Sequence, residues 1–170
     1  MVYYKTIEAK RLMTNIKQLH QNYLTIVNLP GLAHDAKKAM VAALVGELPG
    51  GGWLVKGITQ AALTAYANNG YKPGPKIQRG HLVRRHDTYN TLVTNPILDA
   101  QEWYDFIIKT TTTYLCTKEE NGTDGTDHWS EMIDFGETPD WLFENAKIGF
   151  KHRVAEREWL REWHTNLQAV

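Results

Sequence analysis

The placement of proline and glycine most constrains what this chain can fold into. Breaks at Asn28-Leu29-Pro30-Gly31, Pro49-Gly50-Gly51-Gly52, Lys72-Pro73-Gly74-Pro75 and Pro96 cut the chain up to Pro96 into pieces of helix length or shorter. Proline lacks the N–H a helix interior needs, and it pushes the preceding residue toward extended backbone. No regular helix runs through these points, so the periodicity between them decides the fold class.

Residues 5–27 carry Leu12, Ile16, Leu19, Tyr23 and Ile26 at steps of three and four, with Lys10, Arg11, Lys17 and Gln18 off the stripe. That spacing predicts a long amphipathic helix. A second helix is expected over 35–47, with Ala36, Met40, Leu44 and Val45 inward, and a third over 53–67 through Leu54, Ile58, Ala61, Ala62 and Tyr66. Asn95 or Asp99 supplies a cap for a helix carrying Trp103, Phe106 and Ile107. Four consecutive threonines followed by Tyr114-Leu115-Cys116-Thr117 favour a strand near 110–117. Residues 76–95 have no clean helical period and are expected to form a short hairpin or an irregular loop. Thr138-Pro139-Asp140 opens a short helix through Trp141 and Phe143, and 154–167 form a last helix on Leu160, Trp163 and Leu167. The expectation is a mainly α chain of five to six helices, or an α+β chain with a little β-structure in its middle, folded as a single domain over 1–170.

The net charge of zero conceals a split. Residues 1–86 hold twelve Lys/Arg against three Asp/Glu, and 87–170 hold seven against sixteen. A polyanion-facing side, an intramolecular charge match, two solvated faces and a homo-oligomer docking one half on the other all remain open. No apolar run approaches the length of a membrane helix. The opening Met1-Val2-Tyr3-Tyr4-Lys5 has no apolar stretch of the signal-peptide kind, so a cytoplasmic location and no membrane partner are expected. The single cysteine, Cys116, excludes an internal disulfide and a cysteine-rich metal site.

Chemistry concentrates in Gln78-Arg79-Gly80-His81-Leu82-Val83-Arg84-Arg85-His86, which holds three arginines and two histidines and meets its first acid at Asp87. A neutral imidazole takes a proton from an attacking water, arginines hold phosphate bidentately, and glycine lets the backbone come close. The run Arg79-Gly80-His81-Leu82-Val83-Arg84-Arg85 resembles the Arg-Gly-His motif of the DNA/RNA non-specific endonucleases of the ββα-metal class, with Thr94-Asn95 and Trp103 following at similar distances. The motif's leading aspartate is Gln78 here. Ile107-Ile108-Lys109 stands where that family has its metal-binding asparagine. The resemblance implies a nuclease with His81 as general base, Arg79 a phosphate contact, and Mg²⁺ or another divalent metal as cofactor. In that reading Arg84, Arg85 and Lys76 hold phosphate, and His86, Asp87 and Asn95 are candidate metal or orienting groups. The alternative is a non-catalytic helical module that binds nucleic acid or an acidic protein.

Other motifs are weaker. Gly50-Gly51-Gly52 lacks phosphate-loop spacing, and Glu120 to Glu131 only partly matches a calcium loop. Pro139-Asp140 and Glu144 to Lys147 miss the spacing of a restriction-type site. His128 with Asp124, Asp127 and Glu131 is a second possible ligand group. Trp103, Trp141 and Trp163 are expected in the core, and Trp53 and Trp129 as loop anchors or stacking platforms. His20, His34, His152 and His164 are expected to be ordinary surface or helix histidines.

Overall fold

The computed structural model describes residues 2–48, 55–72, 76–122, 126–139, 142 and 153–168. In chain order the elements are α1 (Val2–Asn28), α2 (His34–Val45), β1 (Val55–Thr59), α3 (Gln60–Asn68), β2 (Ile77–His81), α4 (Arg85–Thr94), α5 (Ala100–Thr111), β3 (Thr113–Thr117), α6 (Lys118–Asn121), β4 (Met132–Asp134) and α7 (Val154–Leu167). The fold is α+β, with seven helices and four strands among the described residues. Residues 49–54 and 140, 141 and 143–152, where the glycine-rich turn and most of the proline-led helix were expected, lie outside them.

The chain sorts into two compact units, residues 1–54 with 83–112 and residues 55–82 with 113–170. The first is helical. Its helices α1, α2, α4 and α5 close around Ile16, Tyr23, Val41, Leu92, Trp103 and Ile107. From Ile16 on, the stripe read from the sequence supplies the α1 side of this core, because period-3.6 apolar residues share one helix face. Tyr23 fixes the start of the α4–α5 connection: its hydroxyl donates to Leu92 O at 2.8 Å and accepts from Ile97 N–H at 3.0 Å. His20 is no surface histidine. It is 2% exposed, its Nε2 bonds Ile97 O at 2.9 Å, and its ring lies 5.5 Å from Trp103.

The second unit is a four-stranded mixed sheet in the order β2-β3-β1-β4, with β1 parallel to β3 and the outer strands antiparallel to their neighbours. The predicted strand near 110–117 is β3. The expected helix over 53–67 is instead β1 followed by α3, where Thr59 caps the helix by accepting from Ala62 N–H at 3.2 Å. The expected hairpin over 76–95 is also revised. Only 77–81 are strand, their partner is β3 rather than a neighbouring segment, and 85–94 are helical. His81 pairs with Thr113, so the intervening residues leave the sheet and return to it at facing positions.

One face of this sheet carries Ile77, Ile58 and Leu115 against Leu63 and Tyr66 of α3 and Leu160 of α7. On the other face Gly80, Tyr114, Gly57 and Asp134 fall in one row. Both glycines are required. A Cβ on Gly57 would lie 2.7 Å from Tyr114 Cε1 and run into the Ile133 carbonyl, and one on Gly80 would meet the Trp129 ring. Tyr114 hydrogen-bonds across the row to Asp134, which Lys56 Nζ holds at 2.8 Å.

The charge split of the sequence does not separate the units. The helical unit holds nine Lys/Arg against seven Asp/Glu, and the sheet unit ten against twelve. The basic segment 55–82 and the acidic segment 113–170 belong to the same unit, so each unit combines a basic and an acidic stretch.

Candidate functional site

The arginine–histidine stretch is shared between the units. Lys76 is exposed just before β2, and its carbonyl accepts from Lys118 N–H at 3.0 Å. Strand alternation then sends Ile77, Arg79 and His81 to the face covered by α7 and leaves Gln78 and Gly80 on the other. Arg79, expected to hold a phosphate, is therefore 3% exposed. Burial draws its guanidinium down to about 10, opposed by the charge of Glu156. Glu156, 1% exposed on the first turn of α7, is itself bound by Arg153: Nη2 donates at 2.6 Å and the backbone N–H at 3.1 Å. His81 ends the strand half-buried.

Past Leu82 the stretch enters the helical unit. Arg84 stands at the N-cap of α4, and Arg85, His86 and Asp87 fill its first turn, all exposed. The start of α2 meets the middle of α4: His34 Nε2 bonds Asn90 Oδ1 at 2.9 Å. The Asp35 carboxyl is held below its ordinary range chiefly by Lys38, 2.7 Å away, and in smaller part by the charges of His34 and His86. The first turn of α4 thus presents two arginines and a histidine to solvent, beside the polar start of α2.

The residues expected to hold a metal do not converge. His86 and Asp87 open α4 while Asn95 closes it as the C-cap. Nine residues at 1.5 Å rise separate His86 from Asn95 by about 13 Å along the axis. Among the described residues no group of three or more His, Cys, Asp or Glu side chains is placed to hold a metal ion. In the second ligand group, His128 spends Nε2 on the Glu120 carbonyl at 2.8 Å, Glu131 is exposed, and Asp124 lies outside the described residues. His86, Asp87 and Asn95 are therefore not brought together as one ligand set.

A densely bonded polar group lies elsewhere, at the C-terminal ends of the parallel strands β1 and β3. The Glu120 side chain accepts from Thr59 Oγ1 at 2.7 Å and Thr117 N–H at 2.8 Å on one oxygen. The other oxygen accepts from Ser130 Oγ at 2.7 Å and Ser130 N–H at 3.0 Å. Burial pushes this carboxyl up, but those hydrogen bonds outweigh it and hold it below the usual carboxylate range. The ends of parallel strands are where α/β sheets commonly take ligands. Here the chain fills that position itself. The first N–H groups of α3 are spent on Glu131 O at 2.7 Å, Ser130 Oγ at 2.9 Å and Thr59 Oγ1, leaving no open anion cradle there.

Glu120 was not singled out in the sequence, although its signal is present. Thr117 followed three residues later by glutamate is a capping box, and both of its bonds form in α6. Trp129 is a loop anchor: its indole N–H donates to the Glu120 carbonyl at 2.8 Å. Trp103 is core as expected, whereas Trp163 is half-buried beside Phe135 and Trp159. His164 bonds Tyr71 from α7. Trp53, Trp141 and His152 lie outside the described residues. No helix among the described residues is long and apolar enough to cross a membrane. No protein-family model, curated protein or solved structure matches this chain.

Proposed function

We propose that the protein binds nucleic acid through the exposed start of α4, with Arg84 and Arg85 on phosphates and His86 beside them. The observation that carries this reading is that these three consecutive residues are all exposed at one helix start. Arginine suits phosphate by its planar, bidentate donors, and the partial positive charge of a helix start adds to the attraction. Fluorescence anisotropy with labelled single-stranded and duplex DNA and RNA, over a series of salt concentrations, tests it. Phosphate contacts release counterions, so affinity should fall steeply with salt, and Arg84→Ala with Arg85→Ala should flatten the log–log slope by about 2. Absence of salt-sensitive binding overturns the reading.

The hydrolytic form of the same reading takes His81 as general base. It rests on the resemblance of Arg79 to Arg85 to the ββα-metal nucleases and on the half-exposed position of His81 at the end of β2. Cutting of supercoiled plasmid or structured RNA that depends on Mg²⁺ or Mn²⁺ and is lost in His81→Ala is its expected sign. Intact substrates alongside a salt-sensitive shift leave a binding protein without chemistry.

A further inference from the structure

Residues 126–131 form a short turn, closed by Trp129 N–H on Thr126 O at 3.0 Å, beside the sheet face that carries Gly80 and Cys116. Four of its bonds to the rest of the sheet unit fall on one residue, Glu120. The Glu120 carboxylate takes the Ser130 N–H and hydroxyl, and the Glu120 carbonyl takes His128 Nε2 and Trp129 Nε1, each at 2.8 Å. The far carboxylate oxygen is pinned to the ends of β1 and β3 through Thr59 and Thr117. A second attachment joins Ser130 and Glu131 to the start of α3.

The turn holds Trp129 against the glycine in β2. A Cβ on Gly80 would collide with the indole and stand 2.7 Å from Cys116 Sγ, so ring and thiol flank the same point. Cys116 is fully buried. No residue of 126–131 belongs to the apolar core of the unit, which resumes at Ile133 and Phe135. Opening this turn therefore costs polar bonds and one indole contact, while the sheet and its α3 and α7 packing stay whole. Segments with few apolar contacts open below the global unfolding free energy.

We propose that residues 126–131 are a strap latched by Glu120, holding Trp129 over Gly80 and Cys116, and that its release uncovers the thiol without unfolding the sheet. The inference stands apart from the nucleic-acid reading.

Cys116 is the sole cysteine, so its alkylation by iodoacetamide reports the strap directly in the full-length chain. Rates are measured at about pH 8 over a urea series that stays below the unfolding transition, with far-UV circular dichroism following global unfolding. Glu120→Gln removes the charged acceptor. Ser130→Ala removes the strap's hydroxyl and spares the sheet if the first variant folds poorly. Either variant is expected to speed alkylation by about tenfold or more, the shift in open population that matches losing one charge-assisted hydrogen bond. The dependence on urea should stay shallow, since little surface is exposed by a local opening. Trp129→Ala removes the cover itself and should give the fastest rate. Rates equal to wild type in Trp129→Ala, or increases that follow urea as steeply as global unfolding does, overturn the proposal.

Discussion

A buried ion carries its consequences in whichever partner is removed. Arg79 is nearly inaccessible and Glu156 favours its charged form, so Glu156→Gln removes a counter-charge from a buried guanidinium. Breaking one side of a buried pair costs about 3–5 kcal/mol, while replacing both with apolar groups of similar size is often close to neutral. In urea unfolding, Glu156→Gln is expected to lose about 3 kcal/mol, and Glu156→Gln combined with Arg79→Met to recover much of it. Equal costs for the single and double variants would mean that the two charges do not support one another. Glu120 makes a pH prediction. Its folded-state carboxyl lies below the ordinary 4.5. As the pH drops under that value the unfolded chain takes up a proton before the folded one does. The stabilisation from this group is thus complete above about pH 4.5 and disappears as the pH falls through the lower folded value. Urea midpoints from pH 7 down to 3 should fall less steeply in Glu120→Gln than in wild type; parallel curves would show that other carboxylates govern acid unfolding.

Elements were legible where their signals are local. Breakers and the 3.6-residue period placed α1, α2 and α7 within a few residues, and Asp99 caps α5 as expected, its Oδ1 accepting from Gln101 N–H at 2.8 Å and Glu102 N–H at 2.9 Å. Asp99→Ala should cost about 1 kcal/mol in the urea midpoint; no loss would mean that packing of Trp103 and Ile107 alone starts the helix. The strands were harder for a physical reason. β1 is five residues long, and its Ile58 also fits the helical stripe of the α3 that follows, so the periodicity gave no boundary between them. β2 satisfies its backbone on β3, thirty-odd positions downstream by register, and no local pattern announces so distant a partner. The same holds for the candidate site. The exposed half, Arg84 to Asp87, was readable from composition. The fate of Arg79 depended on strand alternation and on a glutamate 77 residues later, and the assembly around Glu120 draws on three separate segments.

At the scale of the whole chain, the sequence order hides the unit order. The basic first half and acidic second half suggested two opposed faces, yet β2 and β3 interleave the halves within one unit, and the two units end near charge balance. Antiparallel partners that face one another can be joined by a two-residue turn. His81 and Thr113 are such partners, which makes the sheet unit separable on paper by a single junction. A chain of residues 55–81 and 113–170 linked by Asn-Gly keeps Ile58, Leu63, Tyr66, Leu115 and Leu160, the apolar centre of that unit, as well as Arg79 with Glu156 and the whole Glu120 assembly. Its length is within the range in which a single core sustains a fold. The expected outcome is one cooperative urea transition with slowly exchanging amides in β1 and β3, at lower stability than the full chain. A broad, non-cooperative transition with no protected amides would mean that the sheet depends on the helical unit to fold, and that the two compact units are one folding domain.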